Sequence, residues 1–327
     1  MDRRQAIWTL GTSMAAGYVP VNAQEKFPSH GMRIVVGYPA GGVTDIAARV
    51  VGEMLAKKYG QSVVVENRPG ASGVIGQQVV AKAPPDGYVL SSGGLGGNVL
   101  PPLTVEGLPL DVLKALVPVA LTSEFVNVLV VPRNHPANTV GDFIKSVKAQ
   151  NKPLLFGANG IGSSAHLAGE FFGMRTGVKM EVVSYKGASE ILVDVVNGGL
   201  QCTFANLPSV LPLMRDGRIK ALAVTSNYRS KHLPDVPTMQ ESGLPDFNVT
   251  SWLGIYAPAG TPRPILEQLG RDIVEGMQQP ESRQRLETAG FEVRPLGTAQ
   301  FEEFTKQELA KWGEVIQRLN IKQKFGS

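Results

Sequence analysis

The chain has 327 residues, 43% of them hydrophobic and 18% charged, with 37 Gly and 23 Pro. It is longer than an ordinary domain of about 100–200 residues and suits two, and its near-average apolar content excludes a disordered chain. A net charge of +4 with both signs interspersed and a single cysteine, Cys202, exclude the basic footprint of a nucleic-acid binder, an internal disulfide and a Cys-based zinc site.

Residues 1–23 have the pattern of an export signal. Arg3 and Arg4 precede the apolar Ala6-Ile7-Trp8-Thr9-Leu10, and small residues run to Val21-Asn22-Ala23, an A-x-A-like cleavage site. Cleavage after Ala23 would deliver the chain to a bacterial periplasm by the Sec or the twin-arginine route. Beyond it no run of 18 apolar residues offers a membrane span. Short apolar runs then alternate with amphipathic segments. Strands are predicted at 32–38, 63–66, 89–91, 126–131, 154–156, 180–183, 202–204, 221–224 and 252–256. Helices are predicted at 44–59, 72–81, 140–149, 163–175, 189–197, 262–277 and 299–319. In the first helix Ile46, Val50, Val51, Met54 and Leu55 share one face, and Arg49, Glu53 and Lys57 take the other. This alternation predicts an α/β fold with mostly parallel sheets flanked by helices. The runs at 126–131 and 251–257, each followed by a proline, predict two crossing strands between lobes. One lobe would comprise residues 24–126 plus 257–327 and the other residues 127–256.

Two glycine-rich strand-to-helix loops carry the chemistry. The first, Tyr38-Pro39-Ala40-Gly41-Gly42-Val43-Thr44-Asp45, opens the helix at 44, with Thr44 or Asp45 placed to cap it. Unpaired N–H groups and the helix dipole make such a start an anion site. Its spacing mimics a P-loop, but Val43 stands where that motif needs Lys, which excludes nucleotide hydrolysis. The second, Gly160-Ile161-Gly162-Ser163-Ser164-Ala165-His166, has Ser163 or Ser164 as its cap, with hydroxyls to offer a carboxylate. If the two loops belong to different lobes, two helix N-termini face one cleft and suit a ligand with two anionic ends. Gly93-Gly94-Leu95-Gly96-Gly97, with Ser92 ahead of it, would be a loop lining the same cleft. The four histidines show no metal spacing, and no G-x-S-x-G elbow supplies a nucleophile. No metal, cofactor or catalytic residue is expected.

Several blocks carry a family resemblance. They are Tyr38-Pro39-Ala40-Gly41-Gly42 with Asp45 and Arg49, Glu66-Asn67-Arg68-Pro69-Gly70, Pro85-Asp86-Gly87-Tyr88, Tyr185-Lys186-Gly187-Ala188, Leu233-Pro234-Asp235-Val236-Pro237-Thr238 and Ala257-Pro258-Ala259-Gly260-Thr261-Pro262. Together they resemble the Bug-type (Bordetella uptake gene) solute-binding proteins of tripartite tricarboxylate transporters. Val43 and Thr44, inside the first loop, and Ser189-Glu190, where the family often has a proline, depart from the pattern. The resemblance implies a two-lobed periplasmic-binding-protein (Venus-flytrap) fold gripping a small carboxylate between its lobes for delivery to membrane permease subunits. The acid would be a di- or tricarboxylate, an acidic amino acid or an aromatic acid. It implies ligand contacts from Tyr38, Ala40, Gly41, Gly42, Thr44 and Asp45, from Gly160, Ser163, Ser164 and nearby His166, from Lys186, Gly187 and Ala188, and from Asn206. A monomer without nucleic-acid partners is expected. Two alternatives stay open: a secreted enzyme acting on carboxylates, and a sensor subunit for a signalling receptor.

Overall fold

Strand β1 (Met32–Val36) sends Ile34 and Val36 to one side of its sheet and Val35 to the other, and all three are fully buried. A strand covered on both faces has this continuous apolar character. The computed structural model describes residues 27–160, 162–319 and 321–324, so the expected export signal lies outside the described residues. After β1 come α1 (Val43–Tyr59), β2 (Val63–Asn67), a 3-10 turn at Ala71–Gly73, α2 (Val74–Ala81) and β3 (Val89–Gly94). A π-helical turn, Leu95–Val99, leads to α3 (Leu100–Thr104), β4 (Val105–Glu106), α4 (Val112–Ala115) and the long β5 (Leu116–Pro132). The next stretch holds α5 (Val140–Ala149), β6 (Leu154–Ala158), α6 (Ser164–Thr176), β7 (Met180–Ser184), α7 (Ala188–Asn197), β8 (Cys202–Asn206), α8 (Leu207–Arg215) and β9 (Ile219–Val224). The chain ends with β10 (Thr250–Pro258), α9 (Arg263–Gln278), α10 (Pro280–Thr288), β11 (Glu292–Leu296), α11 (Thr298–Leu319) and β12 (Gln323–Lys324), which pairs with β4. Helices α1, α6 and α7 stop at Gly60, Gly177 and Gly198, each in the left-handed conformation that glycine adopts without penalty.

Two sheets share one strand. The first runs β2-β1-β3-β10-β5-β11 and the second β9-β5-β8-β6-β7. Strands joined by helical crossovers, β2-β1-β3 and β7-β6-β8, pair in parallel as expected; β5 and β10 add antiparallel pairs. Residues 116–126 of β5 pair with β10, and residues 127–132 pair with β8 and β9. From the crossing onward Val126, Val128 and Val130 pack with residues of α7 and α8, while Leu129 and Val131 pack with residues of α5 and α6. This alternation is the period-2 signature of a strand buried between two helical layers.

The return crossing differs from the expected boundary at 256/257. Thr250 is already registered opposite Val126, and β10 lies between β3 and the first part of β5 along its length. The apolar run at 251–257 therefore reflects a central position in the first sheet. Fully buried Thr225 ties the two crossings together. Its N–H donates to Asn127 O at 2.9 Å, and its hydroxyl lies 3.0 Å from Asn127 O and 2.6 Å from Val249 O. The Val249 N–H donates back to Thr225 O at 2.9 Å.

Candidate ligand-binding cleft

Between the lobes lies a cleft of about 270 Å³ whose lining, among the described residues, includes no Lys, Arg, His, Asp or Glu. Its polar surface comes from turns and helix starts. Gly42 is the N-cap of α1 and offers no side-chain cap, so the first-turn amides of Val43 and Thr44 have no intrahelical acceptor. Tyr38, Ala40, Gly41, Gly42 and Thr44 line this wall, and the Tyr38 hydroxyl donates to Ser72 O at 3.0 Å. Burial raises the Tyr38 phenol far above its ordinary range, keeping it a neutral donor.

The opposite wall holds three more helix starts. Ser163 caps α6, its hydroxyl accepting the His166 N–H at 3.3 Å. Ser164 Oγ sits 3.2 Å from Asn127 Nδ2, which donates to it, and 3.4 Å from Asn206 Oδ1. Gly187 precedes α7 and Asn206 precedes α8, and neither supplies a side-chain cap. Ser163, Ser164, Gly187, Ala188 and Asn206 all line the cleft. Four helix N-termini thus open on one space, with their partial positive charges directed toward it.

Five expected residues lie elsewhere. Asp45 is 2% exposed and does not line the cleft. Rather than capping α1 at its N-cap position, its carboxylate reaches back one turn. Oδ2 accepts Gly41 N–H and Arg49 Nε at 2.9 Å each, and Oδ1 accepts Arg49 Nη2 at 3.0 Å and Asn67 Nδ2 at 2.9 Å. All its acceptor capacity goes into folding the loop. His166 is likewise a brace behind its loop: its Nδ1 accepts the Gly162 N–H at 3.0 Å and its Nε2 lies 3.5 Å from Glu170 Oε1. Ser92 falls inside the sheet because β3 continues to Gly94, paired there with both β1 and β10. Lys186 is exposed on the outer side, its N–H donating to Glu190. Gly160 touches the other lobe: its φ of +99° favours glycine, and a Cβ there would fall 2.8 Å from Ser72 Oγ, which would have to turn away.

Burial pushes the Asp45 carboxyl up, but hydrogen bonds from Arg49, Gly41 and Asn67 and the charge of Arg49 together hold it below its ordinary value of 3.8. A carboxyl depressed on folding adds stability that is fully present above the unfolded value and lost as pH falls through the folded one. Asp45→Asn is therefore expected to flatten the acid-side decline measured by urea unfolding below about pH 5, and to lower neutral stability by about 1–3 kcal/mol. An acid limb identical to wild type would contradict this account.

A sequence profile described as "Tripartite tricarboxylate transporter family receptor" (TctC) matches residues 47–321. The chain belongs to this receptor family. Among relatives of this receptor, protein BugT of Bordetella pertussis is 34% identical over 325 residues, 99% of each chain. Among solved structures, R. palustris Rpa4515 with adipate shares 32% identity at a TM-score of 0.87, covering 90% of this chain and 99% of its own. MatC (Rpa3494) from Rhodopseudomonas palustris with bound malate gives 29% and 0.82, covering 89% and 100%. The periplasmic binding protein BugD gives 29% and 0.84, covering 91% and 100%.

The glycine-rich segment at 93–97 also reaches the cleft, as do residues that the sequence did not single out. Gly94, Gly96 and Gly97 come from the end of β3 and the π-helical turn, Trp252 and Leu253 from β10, and Pro208, Ser209 and Pro212 from α8. Asn206-Leu207-Pro208 was the available signal for α8, an N-cap residue followed by proline in the first turn, where its missing N–H costs nothing.

Proposed function

We propose that this receptor captures a small carboxylate between its lobes in the periplasm and presents it to the permease subunits of a tripartite tricarboxylate transporter. The convergence of four helix N-termini on a cleft that, among the described residues, has no cationic side chain carries this reading. Each terminus favours an anion by about 0.3–1 kcal/mol when exposed and up to ~2 when partly buried. Hydrogen bonds to charged groups add about 1.5–3 kcal/mol each, against the cost of ordering ligand and lobes. With one helix start on the first lobe and three on the second, a linear acid with a carboxylate at each end is the ligand best matched. The adipate and malate carried by two solved relatives are acids of this kind.

In this reading Tyr38, Ala40, Gly41, Gly42 and Thr44 contact one end of the ligand, and Ser163, Ser164, Gly187, Ala188 and Asn206 contact the other. Asp45 and His166 hold the loops in shape. The lobes divide at 126/127 and 249/250, and the segment 1–23 is removed on export. The receptor acts as a monomer and leaves its ligand unchanged. The cleft serines support the last point, since Ser163 is committed to capping α6 and Ser164 has two asparagines as neighbours and no base.

Thermal denaturation with malate, adipate, citrate, glutamate, phthalate and nicotinate tests the proposal, with adipamide as a neutral control. A matched acid at one hundred times its Kd stabilises the folded state by roughly 2.7 kcal/mol, whereas adipamide is expected to leave the transition unmoved. Mass spectrometry of the incubated mixtures should recover every acid intact. A panel without a single saturable shift, or a product of turnover, would sink the reading.

A further inference from the structure

A second cavity, of about 180 Å³, shares two walls with the cleft. The π-helical turn gives Gly96 and Gly97 to the cleft and Asn98 to this cavity, and β10 gives Trp252 and Leu253 to the cleft and Tyr256 to this cavity. Val112, Leu116, Pro118 and Leu309 make the rest of its lining largely apolar.

Two polar groups interrupt that lining. Asn98 is 2% exposed, and neither its amide nitrogen nor its amide oxygen has a hydrogen-bond partner. Tyr256 is also 2% exposed, and its hydroxyl, beside Thr305, has no partner in hydrogen-bonding geometry. Buried polar atoms are almost always paired, and several orphans in one cavity call for a guest that pairs them. At the mouth stand Glu302, which is paired with Arg263 at 2.6 Å, and the exposed Lys306.

We infer that this cavity binds a small neutral amphiphile whose head both donates and accepts hydrogen bonds, a primary amide foremost, with its apolar part against Val112, Leu116 and Leu309. A primary amide complements Asn98 twice, N–H to Oδ1 and C=O to Nδ2. A carboxylate would leave Oδ1 without a donor. At roughly 30 Å³ per small molecule-sized group, the volume suits a guest of about six heavy atoms. n-Butyramide has that size and both groups.

The test titrates n-butyramide into the exported protein, by calorimetry and ligand-observed saturation-transfer NMR. Parallel titrations use Gly42→Val, which alters the cleft, and two cavity variants. Binding is expected to saturate at one equivalent and to be unchanged by Gly42→Val. It should weaken at least tenfold in Asn98→Leu and in Leu113→Trp, a lining position 41% exposed that a larger side chain can occupy without disturbing the core. Butyrate should bind at least tenfold more weakly than the amide. Absence of saturation, which would leave the orphans to water, overturns the inference. So does loss of binding in Gly42→Val, or binding that survives intact in whichever cavity variants fold.

Discussion

Gly42→Val is expected to weaken carboxylate binding at least a hundredfold while leaving the fold intact. Gly42 has φ −76° and ψ 168°, an extended conformation that valine adopts readily. A Cβ there meets only Pro39 O, at 3.3 Å. The added isopropyl group would stand at the uncapped start of α1, holding an anion away from the Val43 and Thr44 amides. A hundredfold loss is about 2.8 kcal/mol, the size of one or two lost charge-assisted hydrogen bonds. Gly41 would give a less readable result. Its φ of +79° makes any side chain strained, and its N–H is the one that Asp45 accepts. Calorimetric titration of the variant with its best acid, beside a urea curve, separates binding from folding. Wild-type affinity would remove the first loop from the site.

Glu308→Ala should cause the largest loss of stability, about 3–5 kcal/mol by urea denaturation. This α11 carboxylate is 8% exposed, and its Oε2 accepts indole N–H groups from Trp252 at 2.8 Å and Trp312 at 3.0 Å. Lys311 pairs with Oε1 at 3.3 Å and lies 4.9 Å above the Trp312 ring. Alanine would leave two buried indole donors unsatisfied at about 1–3 kcal/mol each, with a cavity added. Glu308→Gln keeps an acceptor in place and is expected to recover most of the loss. A Gln variant as unstable as the Ala variant would mean that the charge, rather than the acceptor, matters.

The elements with strong local signals were legible in the sequence. Helix α1 combines a 3.6-residue apolar stripe with a glycine-rich entry and the Gly60 stop, and α6 carries a serine cap; both sit within a residue or two of their expected limits. Helix α8 was hidden by Pro208 and Pro212, which read as breakers although Pro208 occupies the tolerated first turn. Helix α10 is too polar to show a stripe, and β11 contains Pro295 and has no buried residue. The ten cleft-lining residues among those expected all belong to strand-to-helix turns, whose chemistry is local. Asp45 was misread because the partner that completes its shell, Asn67, comes from β2 and meets it only in the folded sheet. The turn at Leu95–Val99 carried no periodic signal, since a π-helical turn follows neither the strand nor the α-helical repeat.

The side-by-side registry of Val126 and Thr250 has a topological consequence. Residues facing each other in an antiparallel pair are only about 5 Å apart, a gap that a two-residue turn closes. The second lobe is thus a guest spliced into the tip of a hairpin, and the host keeps its own strand order whatever is written between the splice points. Ligand preference on that side can diverge by remodelling an insert, provided its contacts with the host, such as Gly160 against Ser72 and Lys231 with Glu287 at 2.8 Å, are kept.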